Sequence, residues 1–424
     1  MKRTNPKSKL YLVIIVLAAS VLTLSIVTMG DDGHKNITLD LIDLVASNPE
    51  IGNMLNASIA EAKEGNPDPK TNPVQNLSDY YDFIDSASEL IPQQVLDNPS
   101  DLTRDQILQS ICYFYFLVDQ PLPELENKGL YKNAIQYYEP FSSWLRDFAD
   151  TWGTFLDTEE SWNNKTYQEF YSDPSFGLQE GWYESPSNWN TFNRFFSRYL
   201  ISPDARPIAS PNDSAVVVSP ADSVPQGTWA IDENSTIQVE NGSNGSNGLE
   251  VKLVRYYSVK DLLGDNSSYK DAFANGVLTH SFLNVNDYHR YHFAVGGTIV
   301  EKKIIYQNVA LEVKWNYTGQ NKYDPIDSTG WQFSQTRGYV IVDTENYGLV
   351  ALIPMGMAQV SSVNFEDDVV VNATHEKGDM LGYFLFGGSD FIMLFQERAG
   401  FNMTATKENH ILMGEEYGVM KGAA

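Results

Sequence analysis

Four short stretches of this sequence hold side chains that could make or break bonds. In Phe386-Gly387-Gly388-Ser389-Asp390 a serine hydroxyl follows a glycine carbonyl that no side chain shields. Held in a strained turn, such a hydroxyl can attack the preceding carbonyl and move the acyl group from nitrogen to oxygen. The same residues also suit an ordinary hairpin turn between the runs GYFLF and FIMLF, since glycines supply positive φ and Ser and Asp are common turn formers. Asp287-Tyr288-His289-Arg290-Tyr291-His292 holds two of the chain's six histidines, three residues apart. That spacing converges on a turn or helix and diverges on a strand. With no cysteine cluster and no H-E-x-x-H beside it, the pair is not expected to hold a metal. Ser219-Pro220-Ala221-Asp222-Ser223 sets a carboxylate after a proline turn, and Asn193-Arg194-Phe195-Phe196-Ser197-Arg198 interleaves aromatic rings with two arginines ahead of Arg206-Pro207-Ile208. The last pattern suits packing of a helical part against a sheet, or capture of an anion.

Taken in order, these stretches resemble the phosphatidylserine decarboxylase family. NRFFSR is similar to its F-F-x-R segment, SPADS to S-P-A-D-G, DYHRYHFAVGG to D-Y-H-R-x-H-x-P-x-x-G, and KGDMLGYFLFGGSD to K-G-x-x-x-G-x-F-x-x-G-S-T. The resemblance spans Trp144 to Gln396. WGTFLDTEES and GWYESP also look like the branch whose N-terminal helical extension accompanies secreted or amino-acid-acting members.

The resemblance implies self-cleavage between Gly388 and Ser389, with Ser389 converted into a pyruvoyl cofactor. It implies His292 as the base, Asp222 as its orienting carboxylate, and His289 as a group that positions the substrate or returns a proton. The implied reaction is decarboxylation of phosphatidylserine to phosphatidylethanolamine. Two alternatives stay open: decarboxylation of a free, in one version aromatic, L-amino acid, and an unprocessed extracellular glycoprotein with the same fold. Homodimers are common among such relatives. Several positions depart from the family pattern: Asp390 stands where Thr is usual, Ser223 replaces a Gly, Ala294 and Gly296 sit where Pro and Asp are common, and VSSV lacks a usual glycine. None of these removes Asp222, His292, Gly388 or Ser389, so they bear on the substrate more than on the cut.

The elements that must position these residues can be read from the texture of the chain. Lys2, Arg3, Lys7 and Lys9 precede an uncharged run from Leu10 to Gly30, long enough at helical rise to cross a bilayer. A retained anchor at 1–30 is expected, with the N-terminus in the cytoplasm and the rest outside the cell membrane, or secreted if the segment is clipped. Twelve N-x-S/T sequons between Asn36 and Asn402 fit a glycosylated exterior. Residues 31–77 read as a polar stalk or linker, with a short amphipathic stretch near Ile37 to Leu55 and a turn-rich linker, GNPDPKTNP, at Gly65 to Pro73. Apolar residues at helical spacing predict four to six helices over 78–205, and β-branched runs split by Gly, Asn and Asp predict an antiparallel, β-rich domain over 206–424. The expected fold class is α+β, a helical region packed on a β-rich catalytic domain. Cys112 is the only cysteine, so no intramolecular disulfide forms. A net charge of −26 argues against nucleic acid as a partner and repels anionic lipid surfaces; a phospholipid or an amino acid as substrate is what the resemblance implies.

Overall fold

Runs rich in Val, Ile and aromatic residues after Pro203 form strands because branched and flat side chains fit a pleated surface. In the computed structural model, which describes residues 33–92, 103–244, 250–316, 322–326, 330–358 and 362–422, seven of these strands share one sheet. Their order is Thr374–His375, Gly297–Ile305, Arg337–Asp343, Leu349–Met357, Gly388–Phe395, Val277–Leu283 and Val224–Ala230. Every neighbouring pair is antiparallel. Side chains alternate across a strand, so Gly388–Phe395 sends Phe391, Met393 and Phe395 into one apolar core and Ile392 and Leu394 into another. By the same alternation Ser389 faces the first core and Asp390 the second.

The first core is shared with the helices, and the molecule is α+β as the sequence predicts. Phe141–Leu156 buries Trp144, Leu145, Phe148, Trp152 and Leu156, a three-and-four spacing that paints one helical face apolar. Thr103–Phe116 meets the hairpin formed by Val313–Asn316 and Lys322–Pro325. There the Gln109 side chain donates to the Tyr323 carbonyl at 2.8 Å and accepts from the Tyr323 N–H at 2.7 Å, taking the place of a strand neighbour.

Two expectations need correction. The segment read as a stalk contains two helices, Asn36–Ser47 and Pro49–Gly65. Ile37, Leu41, Ile51, Met54, Leu55 and Ile59 recur along them at helical spacing and are buried in the first core. The short, mixed runs between polar residues hide this periodicity, while Pro49 at the first turn marks the second helix start. The following GNPDPKTNP is a packed turn, not a loose linker: Asn72 is fully buried, and the Asn66 amide donates to the Tyr323 hydroxyl at 2.7 Å.

The expected anchor at 1–30 lies outside the described residues. No helix among the described residues is long and apolar enough to cross a membrane. Of the sequon asparagines whose exposure is described, Asn316 is partly buried and the others, from Asn36 to Asn402, are exposed.

If 36–65 belongs to the folded body, Leu55→Ala opens a cavity in the main core and lowers unfolding free energy by roughly 2–5 kcal/mol. Urea denaturation checks this, and a loss below about 0.5 kcal/mol, the range of neutral surface changes, would return the segment to a stalk.

Candidate active site

GYFLF and FIMLF are not the two arms of a hairpin. Met380–Phe384 pairs with Val363–Phe365 and Arg290–His292 in a three-stranded sheet. Gly388–Phe395 instead pairs with Leu349–Met357 and Val277–Leu283 in the large one. Leu385–Gly387 therefore carries the chain from one sheet to the other. Gly387 takes φ +152° in this crossing, backbone that a residue with a Cβ rarely adopts.

The helical layer holds the crossing in place. Phe386 is fully buried, with its ring edge-on to Trp152 and Phe192 at 5.2 Å and Phe196 at 5.1 Å. Its N–H donates to the Asn193 side-chain oxygen at 3.1 Å, and the Asn193 amide donates to the Gly153 carbonyl at 3.2 Å. NRFFSR thus packs helix against sheet at the bond in question. Thr191 caps the short helix Phe192–Phe196 that presents it.

Ser389 is completely buried, and its Oγ has no hydrogen-bond partner. An unsatisfied buried hydroxyl is destabilising by about 1–3 kcal/mol and calls for a reason. A buried, unpartnered hydroxyl on the residue that follows an unshielded glycine carbonyl, behind a glycine at positive φ, fits a serine that becomes a pyruvoyl group.

His289 is also fully buried, with its ring stacked on Phe196 at a centroid distance of 3.8 Å. Its Nδ1 lies 2.9 Å from the Asp287 carbonyl, so Nδ1 carries the proton and Nε2 holds the lone pair. That Nε2 has no partner. Burial, reinforced by the nearby Arg198 guanidinium, pushes its pKa down to about 3, so the ring stays neutral. Arg198 also donates to the Asp287 carbonyl at 3.2 Å and lies over the Tyr183 ring.

His292 donates Nδ1–H to the Gly378 carbonyl at 2.8 Å, and its Nε2 accepts from the Tyr288 hydroxyl at 3.2 Å. Burial lowers its pKa to about 4 despite that carbonyl and the Asp222 charge, which both raise it. Asp222 is buried and grips Arg206 through both oxygens, at 3.0 and 2.7 Å, while accepting from the Met413 N–H at 2.8 Å. Arg206 lies over the Trp182 ring. The backbone joins the two motifs where the His292 N–H donates to the Pro220 carbonyl at 2.8 Å.

Asp222 and His292 are thus in one neighbourhood, but no hydrogen bond links Asp222, His292 and Ser389. Arg206, Tyr288 and Met413 occupy the expected contacts. Sequence reasoning had Arg206 and Tyr288 in view inside RPI and DYHRYH without giving them these contacts, and no local signal marks Met413.

Beside the crossing opens a cavity of about 560 Å³ lined by Asn193, Arg194, Arg290, Glu366, Tyr383 and Leu385 among others. Arg290 spans it, donating to the Ser197 carbonyl at 2.8 Å and to Glu366 at 2.9 Å, with the Tyr199 ring stacked on its guanidinium. Both charge signs line the cavity.

The sequence profile described as phosphatidylserine decarboxylase matches residues 192–419. Similar proteins include a rice phosphatidylserine decarboxylase proenzyme 2, 32% identical over half of this chain and 30% of its own length. Decarboxylase iboD of Amanita muscaria is 28% identical over 61% of this chain and 78% of its own length. A phosphatidylserine decarboxylase proenzyme of Fusobacterium nucleatum is 29% identical over 66% and 89%. The chain spans under a third of the rice protein and most of the other two.

Both histidines have folded-state pKa values below the unfolded value near 6.5. Between about pH 4 and 6.5 the unfolded chain binds more protons, so stability falls as pH drops through that window. Removing one such histidine flattens the dependence. His292→Gln should shrink the loss of unfolding free energy between pH 7 and 5 by about 2 kcal/mol, read from urea midpoints. An unchanged slope would mean that His292 is not held neutral.

Proposed function

Because this chain belongs to the phosphatidylserine decarboxylase family, we propose that it is a carboxy-lyase that cuts itself between Gly388 and Ser389 and decarboxylates phosphatidylserine to phosphatidylethanolamine. The observation that carries the self-cleavage is the buried, unpartnered Ser389 hydroxyl behind the positive-φ Gly387.

In the cut, Ser389 Oγ bonds to the Gly388 carbonyl carbon as the Gly388 C–N bond breaks, leaving an ester and a free amine. Loss of the Ser389 α-proton expels the Gly388 carboxylate from Cβ. Tautomerisation and water then release the nitrogen as ammonia and leave a ketone. A hydroxyl needs a base for the first step. His292 is the proposed base: its Nε2 is unprotonated, but the Tyr288 hydroxyl that donates to it must turn away before it can take the Ser389 proton. Asp222 supports the charge that then forms on His292, acting through space from its clamp on Arg206.

Once formed, the pyruvoyl carbonyl supplies an electrophile for an α-amine and accepts the electron pair freed as carbon dioxide leaves. The chain's own residues then exclude water and handle one proton. Phe196 and Phe386 form the dry wall, and His289, with a free Nε2 lone pair, is the proposed carrier of the proton that must reach the substrate α-carbon.

A second reading, a free L-amino acid as substrate, is favoured by the cavity beside the crossing. Arg194 and Arg290 share its lining with Glu366 and Asp367, and both charge signs together suit a small zwitterion with no acyl chains. The proposed setting is the outer face of a cell membrane, with 1–30 as anchor and glycans on the exposed sequons. A homodimer is part of the same proposal.

Intact mass measurement tests the cut. Wild-type protein should give fragments 1–388 and 389–424, the second starting with a pyruvoyl group, while Ser389→Ala and His292→Gln stay whole. His289→Gln should cut yet release carbon dioxide at least about a hundredfold more slowly. A single uncut wild-type chain rejects the enzyme reading. Carbon dioxide from serine or tryptophan, with none from phosphatidylserine vesicles, selects the free amino acid.

A further inference from the structure

Behind the serine, on the opposite face of its strand, lies a second buried polar cluster. Asp390 and His280 are both fully buried. His280 Nε2 is 2.8 Å from Asp390 Oδ2, and the Gln332 amide donates to the same oxygen at 3.0 Å. Gln332 is itself fixed, its side-chain oxygen accepting from the Gly330 N–H at 2.7 Å. Around them is the second apolar core, with Leu278, Ile353, Met355 and Ile392. Asp390 Oδ1 has no partner. A carboxylate in such a place is expensive, and well-packed apolar residues often serve stability as well or better. Its presence calls for a function that packing does not supply.

The position of Asp390 suggests one. It is the first residue after Ser389, at the end of a strand whose register runs Ser389 to Gly356 and Leu283, and Asp390 to Met355 and Phe282. Cutting at Gly388 turns this point from mid-chain into a chain end. The covalent tether to the crossing is gone, and a ketone replaces the Ser389 N–H, so residue 389 loses its ladder donor. Strand ends fray when donors and tethers are removed. His280 reaches Asp390 from the neighbouring strand Val277–Leu283, and Gln332 from the turn Trp331–Ser334. Two separate elements therefore grip the first side chain that survives the cut unaltered.

We propose that the Asp390–His280–Gln332 cluster is a clasp that holds the new chain end in register after self-cleavage, so that the group at 389 keeps its place between Gly356 and Leu283. Asp390 is thus a positioning residue, and the proposal rests on the self-cleavage reading above. The clasp also gives Asp390 a role at the position where Thr is usual in the family pattern: the carboxylate comes with a histidine and a glutamine built to receive it.

The experiment compares the clasp before and after the cut. Asp390→Leu, which fills the space with apolar atoms, and Asp390→Asn, which keeps an acceptor and a donor, are each made in the wild-type chain and in the uncut Ser389→Ala chain. Amide hydrogen exchange of residues 391–395 is then followed by mass spectrometry. In the cut protein Asp390→Leu should speed exchange about tenfold, the equivalent of about 1.4 kcal/mol, and Asp390→Asn should recover most of the protection. In the uncut chain either change should stay within about twofold, since the peptide bond still tethers the strand. Equal acceleration in both backgrounds, or none in the cut protein, overturns the clasp. If Asp390→Leu fails to fold in either background, His280→Gln, which removes the ring that reaches Asp390, carries the same comparison. Absence of any cut wild-type chain in the same spectra would instead reject the self-cleavage reading.

Discussion

One backbone donor, the Phe386 N–H, is taken by the Asn193 side chain where the chain leaves a three-stranded sheet and has not yet entered the seven-stranded one. Between sheets a peptide group has no ladder partner, and a buried one left unpaired would be destabilising. Asn193 satisfies it from a helix, and the ring of Phe386 is enclosed by Trp152, Phe192 and Phe196. The helical layer is therefore a condition for the crossing to exist in this form. Gly387 can be held at φ +152° only because its neighbours on both sides are fixed. Ser389 inherits its position from that constraint.

The same enclosure sets the electrostatics. A dry site holds histidines neutral, and both His289 and His292 donate Nδ1–H to backbone carbonyls, which fixes the basic nitrogen at Nε2 in each. The Asp222 side chain is matched by the Arg206 guanidinium and by a backbone N–H from Met413. Met413 lies downstream of the proposed cut, as does His410, which bonds to Asp287 at 2.8 Å. The Ser223 and Ile411 backbones pair as well. Segment 389–424 is thus interleaved with the motifs that would cut it free, and strand Glu416–Met420 pairs with Val216–Val218. A break at Gly388 removes one covalent bond from a set of contacts that otherwise continue across it.

Much of this was legible in the sequence, for identifiable reasons. Alternation and β-branching exposed the strands after Pro203, and helical spacing exposed Phe141–Leu156, since burial on one face imposes those periods. The helices within 36–65 show in the sequence only as a short amphipathic stretch near Ile37 to Leu55, because their apolar residues are separated by Asn, Glu and Gly, which lowers the contrast between faces. The hairpin reading of GYFLF-GG-SDFIMLF failed because adjacency in sequence says nothing about which strand takes which edge. Asp222, His289, His292 and Ser389 were readable as chemistry-bearing types. Their partners were not, because Arg206 meets Asp222 across 16 residues, Gln332 meets Asp390 across 58 and Met413 meets Asp222 across 191. Such pairings exist only once the sheets are assembled.

The choice between a lipid and a free amino acid follows from which part of the substrate each region can sense. Near the reacting atoms only an α-amine and a carboxylate matter, and both substrates present them in the same form. The cavity lined by Arg194, Arg290, Glu366 and Asp367 offers charge of both signs at short range, which suits a compact zwitterion better than a headgroup carrying acyl chains. The two substrates diverge farther out, where a phospholipid must place acyl chains and a free amino acid leaves the surface wet. Tyr199 in the cavity lining is 39% exposed and Ile201, two residues on, is 64% exposed, a modest apolar surface on a chain of net charge −26 that repels anionic membranes. An anchor would relieve that repulsion by making the encounter intramolecular in effect, because tethering raises local concentration without any new contact. The lipid reading therefore depends on residues 1–30 far more than the amino-acid reading does.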